Sequence, residues 1–215
     1  MPVEEVLALS FAGERLLLDA RRGIFWPARG LWMVSDLHLG KDDAFRAAGM
    51  AVPQGQAAAD LDRLSALLES QDARSLWVLG DFLHTRQTPN TWGLRWSDFR
   101  RRHARIEITV VAGNHDRALR GGELGINVLH GAQSLAPFVL QHHPDEAATA
   151  ASICGHLHPV AWLPALRYRA PVFAIATNRL VLPAFSAFTG GWPIPHDWEF
   201  VACADGLLVD GRRAR

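Results

Sequence analysis

Cysteine, lysine, net charge and long apolar runs are all scarce in this 215-residue chain, and each shortage excludes something. Cys154 and Cys203 are the only cysteines. They could pair, but two make no disulfide framework, so a packed core must hold the fold and a reducing cytoplasm is the expected compartment. No apolar run reaches the ~20 residues that a membrane-crossing helix needs. The start, Met1-Pro2-Val3-Glu4-Glu5, lacks the basic and apolar regions of a secretory leader, and no membrane partner is expected. Acidic and basic residues balance at 22 each, so the molecule as a whole has no field to draw it toward nucleic acid or anionic lipid. A polyanionic substrate would need a local patch or metal ions. Lys41 is the only lysine; the other basic residues are Arg, a bias read first as genome composition. Apolar residues, at 49% against 20% charged, describe a soluble globular chain with a core of ample size.

Periodicity then predicts the elements. Residues 6–19 read as a β-hairpin with Ala12-Gly13 at its turn, followed by a turn at Gly23 and a strand over 31–35. Leu61, Leu64, Leu67 and Leu68 at helical spacing predict a helix over 54–69, and 91–103 reads as a second helix. Strands are expected over 75–79, 107–112, 126–130 and 138–142, a short helix over 147–151, and three or four strands between 171 and 209 with a turn at 189–193. The first half alternates strand and helix and the second is strand-rich. The expected fold is α/β, a two-sheet β-sandwich core flanked by helices, as a single domain over residues 1–215.

Apolar strands repeatedly end in polar clusters: Asp36/His38, Asp81, Asn114/His115, His142/His143 and His156/His158. In an extended segment residues i and i+2 face one way, so Asp36 and His38 could aim at one point. In α/β-type sheets functional groups gather beyond the carboxyl ends of the strands. Gly80, Gly113 and Gly155 would let the backbone turn there. Carboxylates, an amide oxygen and imidazoles without a thiolate set suit Mn, Fe or Zn in mixed coordination. Seven donors exceed what one ion takes, so two ions about 3.5–4 Å apart, sharing a carboxylate, are expected.

Asp36-Leu37-His38, Gly80-Asp81-Phe82-Leu83-His84, Gly113-Asn114-His115-Asp116, His142 and Gly155-His156-Leu157-His158 resemble the five ordered motifs of the calcineurin-like metallophosphoesterase superfamily. The flanking Phe25-Trp26-Pro27, His38-Leu39-Gly40-Lys41, Phe45-Arg46 through Pro53 and Leu182-Pro183-Ala184-Phe185 resemble its ligase-associated DNA damage response endonuclease branch. The resemblance implies that Asp36, His38 and His158 hold one divalent ion, Asn114, His142 and His156 a second, and Asp81 both, with Mn2+ the first choice and Fe or Zn the alternatives. His143 is the alternative to His142. It implies His115 as general acid. Many members carry Asp where this chain has His84; the SbcD-type repair nucleases similarly have His, which leans toward a phosphodiester substrate. His84 and Asp116 are both candidates for orienting His115.

Lys41 and Arg117, and less so Arg46 and Arg86, are candidates for substrate phosphates. Arg95, Arg100, Arg101, Arg102 and Arg105 read either as a nucleic-acid patch or, preferably, as a solvated helix face; Trp92 and Trp96 read as core before stacking platform. His130, His103 and His196 are read as ordinary core or surface residues. The expected function is a metal-dependent phosphodiesterase, a nuclease acting on DNA in repair beside a ligase and a helicase. A small-molecule phosphodiesterase or nucleotide pyrophosphatase is the alternative, and a non-catalytic scaffold the third. The tail from Pro171 onward is a candidate partner or homo-oligomer surface.

Overall fold

The computed structural model describes residues 3–53, 55–84, 91–117, 119–187 and 189–213. Two sheets pack face to face. The first has seven strands in the spatial order Val6–Phe11, Glu14–Asp19, Gly23–Trp26, Leu31–Val34, Ser75–Leu79, Glu107–Val111 and Asn127–Leu129. The first four run antiparallel through tight turns. The last four run parallel, because a crossover must carry the chain back between them. Helices Gln56–Glu69 and Thr91–Arg102 lie in the first two of these crossovers.

The parallel strands are near-continuous apolar runs because both faces are covered. In Leu31–Val34, alternation sends Leu31 and Met33 into the layer between the sheets and Trp32 and Val34 beneath the helices. Leu61, Leu64, Leu67 and Leu68 form the buried stripe that holds helix Gln56–Glu69 on that second layer. Burial of each such side chain stabilises by roughly 1.5–3 kcal/mol. Trp92, Trp96 and Phe99 do the same for the next helix, so the Trp pair is core. Three of the four arginines of that helix are engaged locally, and Arg95 is exposed. Arg102 pairs with Glu69 at 2.8 Å, Arg101 with Asp98, and Arg100 donates to the carbonyls of His103 and Ile106.

The second sheet runs Val3–Glu4, Leu207–Asp210, Glu199–Ala204, Tyr168–Ala176, Arg179–Val181, Ser152–Cys154, Phe138–Gln141 and Gln133–Leu135. Pro159–Leu163 pairs with Tyr168–Ala176, and Trp192–Pro193 with Pro159–Leu163. Phe138, Leu140, Ile153, Phe173 and Leu180 face the first sheet.

Four local expectations differ. Gly23 begins a strand, and the turn lies at residues 20–22, with Arg22 at φ 72°. Residues 147–151 form no helix: the Asp145 carboxylate takes the Ala147 amide at 2.9 Å, a side-chain turn that competes with helical bonding. The segment expected as a turn at 189–193 pairs at Trp192–Pro193 as a strand. The helix expected from 54 begins at Gln56, Gln54 lying outside the described residues. Helix Lys41–Ala47 was not foreseen; Arg46 on Asp42 and Asp43 supports it at i,i+4 and i,i+3 spacing. No helix among the described residues is long and apolar enough to cross a membrane.

Candidate metal centre

The loops after the strands continue the sheet's pairing. The Asp36 amide donates to the Gly80 carbonyl at 3.0 Å, His38 to Asp81 at 2.8 Å and Leu39 to Phe82 at 2.9 Å. From the other sheet, Gly155 donates to the His142 carbonyl at 3.1 Å. The two loop sets meet where the His156 amide donates to Asp36 Oδ2 at 3.0 Å.

Asp36 and His38 do not converge by strand alternation, as the spacing suggested. The strand ends at Val34, and both residues sit in the left-handed region, Asp36 at φ 57° and His38 at φ 48°. Asp81 (50°), His156 (68°) and His158 (51°) share that conformation. For residues with a Cβ this costs about 1–3 kcal/mol each and persists where the surroundings impose it. Three glycines make room. Only Gly80 has a positive φ, 85°; a Cβ there would lie 2.0 Å from His142 Nδ1. Gly113 and Gly155 serve close approach instead. A Cβ on Gly113 would meet Asp81 Oδ1 at 2.3 Å, and one on Gly155 would meet Ser35 Cβ at 2.6 Å and Asp36 Oδ2 at 2.8 Å.

All seven expected donors come together, in two groups. Asp36, His38 and His158 form one, with Asp36 Oδ1 3.2 Å from His158 Nε2. His142, His156 and Asn114 form the other: His142 Nε2 lies 3.1 Å from His156 Nδ1 and 3.2 Å from Asn114 Oδ1. Asp81 stands between, with Oδ1 3.5 Å from His142 Nε2 and Oδ2 4.0 Å from His38 Nε2. His142 Nδ1 donates to the Leu79 carbonyl at 2.9 Å, which leaves Nε2 with its lone pair facing the other donors. That contact also separates the two neighbours: His142 is buried and aimed inward, His143 exposed at the rim.

Lone-pair donors crowded this way fit a cation. Asp36 Oδ1, both nitrogens of His38 and His158 Nε2 are buried without a hydrogen-bond partner; metal ligation would satisfy Asp36 Oδ1, His158 Nε2 and one nitrogen of His38. Burial holds His38 down at about 3, so its imidazole is neutral and ready to ligate. Burial works to raise the Asp36 carboxyl, but the His158, His142 and His38 imidazoles outweigh it and carry it below its ordinary value.

His115 lies beside this centre, its Nε2 4.0 Å from Asp81 Oδ2. Its Nδ1 donates to the His84 carbonyl at 2.8 Å, and the two rings stack at 5.4 Å. The main chain of His84 therefore orients His115. Asp116 does not, which corrects one of the two expected candidates. Its buried carboxylate accepts the amides of Phe82 (3.1 Å), Leu83 (3.0 Å) and Gly113 (3.0 Å), tying two donor loops together.

Lys41 is half-buried, its Nζ 5.8 Å from the Phe45 ring; burial lowers its pKa against the pull of Asp36 and Asp81. Arg117 is exposed. Arg46 is held by Asp42 and Asp43, and Arg86 lies outside the described residues. His130 and His196 are exposed, and buried His103 bonds Ser65 Oγ at 2.8 Å between two helices. A groove of about 420 Å³ beside helix Lys41–Ala47 is lined by none of the seven donors, whereas a small cavity of about 10 Å³ is lined by His38 and Lys41.

Sequence reasoning missed the brace behind Asp36. The amides of Phe185 and Ser186 donate to the Ser35 and Asp36 carbonyls at 2.8 and 3.1 Å. Arg22 Nη1 takes the carbonyls of Ala184, Phe185 and Ser186 at 3.2–3.4 Å. Arg63 binds the Phe185 carbonyl, covers its ring at 4.4 Å and pairs with Asp60 at 2.9 Å. No spacing rule marks Arg22 or Arg63.

The chain belongs to the calcineurin-like phosphoesterase family, whose profile matches residues 31–144, a span holding four of the five donor loops. Members use divalent metal ions, and fold and family make the protein a phosphoesterase, a hydrolase. It is 36% identical to the Pseudomonas putida nuclease MPE over 92% of this chain and 96% of that one, with a TM-score of 0.81. The E. coli phosphoesterase Yfce is 18% identical over 84% and 98%, with a TM-score of 0.47, too distant to argue from. A comparison with curated proteins finds no match.

Two outcomes follow from the crowding and the buried imidazoles. Gly113→Ala drives a methyl onto Asp81 and should abolish uptake of the full metal complement, read by elemental analysis after manganese loading; normal uptake would show that Asp81 can move. In metal-free protein, the unfolded chain protonates His38 near pH 6.5 while the folded one resists until about 3. Stability is therefore full above pH 6.5 and falls as pH drops toward 3, by up to ~1.4 kcal/mol per pH unit from this group. Thermal melting between pH 7.5 and 5 should show a shallower fall in His38→Gln; an unchanged slope would contradict this.

Proposed function

We propose that this chain is a metal-dependent phosphodiesterase that cleaves nucleic acid, an endonuclease of DNA repair working beside a ligase and a helicase in the cytoplasm, with manganese as its metal. The observation that carries it is Asp81, whose two carboxylate oxygens face two separate donor groups. Asp36, His38 and His158 would hold one ion, Asn114, His142 and His156 the other, and Asp81 would serve both. Because both sheets supply ligands, the centre needs residues 36–158 folded as one domain.

Two bound divalent ions supply a nucleophile at neutral pH and charge stabilisation at phosphorus. The chain's own groups do the rest. His115 gives Nδ1–H to the His84 carbonyl and turns Nε2 toward the centre; as the imidazolium it carries a second proton on Nε2, which it would give to the departing oxygen, ending as the neutral ring. The stacked His84 ring limits its rotation, and burial, then the charge of Lys41, holds His84 below its ordinary range and neutral. Lys41 offers a positive charge beside Asp36 and Asp81 for a non-bridging phosphate oxygen, and Arg117 a second at the rim. Similarity to the Pseudomonas nuclease supports nucleic acid over a small phosphodiester. The repair setting rests on the resemblance of the flanking segments.

Manganese-loaded protein is expected to cleave single-stranded and gapped DNA. Cleavage of bis-p-nitrophenyl phosphate and cyclic nucleotides with DNA left intact would sink the nuclease reading and favour the small-molecule one. His115→Ala should keep both metals and lose about 10²–10⁴ in turnover; lost metal instead would show that His115 is a ligand.

A further inference from the structure

His142 and His143 are consecutive, and only His142 was needed to complete the second donor group. Yet His143 does not turn away. His142, His143 and His156 each place one ring nitrogen so that all three lie within 4.8 Å of one another. The ring centroids are 4.7 Å apart for His142–His143, 3.9 Å for His143–His156 and 4.8 Å for His142–His156, with interplanar angles of 78°, 53° and 74°. A hydrogen bond between His156 Nδ1 and His142 Nε2 at 3.1 Å accounts for that pair, but none accounts for the place of the His143 ring against both. His142 has given its only proton to Leu79, and the His143 ring makes no hydrogen bond among the described residues. An exposed His free to point into solvent has no reason to crowd two imidazoles unless something between them attracts all three.

We infer that His143 is a further ligand of the second metal position, making it a three-imidazole site. With His143 included, that position offers three ring nitrogens, the Asn114 amide oxygen and one Asp81 oxygen. The first position offers two ring nitrogens from His38 and His158 and carboxylates from Asp36 and Asp81. Imidazole-rich sites favour zinc and cobalt over manganese, whereas carboxylate-rich sites suit manganese. The two positions therefore differ in metal preference, and the exposed His143 widens a difference that Asp36 in one and Asn114 in the other already make. His143 is also the member solvent can reach, so a ligand exchanging at this position would displace it before the buried His142.

The inference rests on the two-ion reading of the centre, and one set of titrations separates them. Metal-stripped full-length protein is titrated calorimetrically with zinc and, separately, manganese, and the cobalt-loaded visible spectrum is recorded. In His143→Ala, second-site zinc affinity should fall about tenfold or more, manganese affinity less, and the cobalt spectrum should change. His143→Gln, which keeps a polar side chain of similar reach, should show the same loss. Wild-type isotherms and spectrum in both variants, while His142→Ala loses the second site, would overturn the role of His143 alone. If His142→Ala also titrates like wild type, the two-ion reading fails and this inference with it.

Discussion

The two sheets answer to one constraint: seven lone-pair donors must be held close against each other at one point. Left to solvent, such groups would turn away or protonate. Here Asp36, His38, His158 and their neighbours are pinned by backbone in the left-handed region, by amides on Asp36 and Asp81, and by a ring proton given to Leu79. The fold spends stability on this arrangement, as pre-organised sites do, because a ligand set that formed only on metal arrival would have to be ordered at that moment.

The two sheets divide the labour. The parallel strands of the first deliver Asp36, His38, Asp81 and Asn114 at their carboxyl ends; the second sheet delivers His142, His156 and His158. Their alignment depends on contacts that carry no chemistry. Asp116 sews the Asp81 loop to the Asn114 loop through three amides. Arg22 and Arg63 seat residues 184–186 against Ser35 and Asp36, so that a strand end of one sheet is fixed by a segment leaving the other. Packing in the layer between the sheets, from Met33, Leu79, Phe138 and Ile153, brings these loops within reach.

The donors were legible in sequence because a metal centre needs particular side chains at strand ends, and apolar runs ending in Asp, Asn or His show both. The route of convergence was not. Alternation predicts that Asp36 and His38 share a face, but the chain leaves the strand two residues earlier and reaches the same result through φ angles no pattern displays. Gly113 and Gly155 read as turns and proved to be clearances. Asp116 looked like a partner for His115 because it is adjacent in sequence, yet adjacency sets no direction; its carboxylate points back into the loops. The brace from Arg22 and Arg63 joins residues more than 120 positions apart, through main-chain carbonyls that any sequence supplies. Helix Lys41–Ala47 is too short for periodicity to announce, though it positions Lys41 and Phe45 beside the centre.

The central claim is that Asp81 joins two ions, and anomalous diffraction from manganese-loaded crystals tests it directly. Two peaks about 3.5–4 Å apart are predicted, both in contact with Asp81, one among Asp36, His38 and His158 and the other among Asn114, His142 and His156. A single peak, or two of which only one touches Asp81, would contradict it.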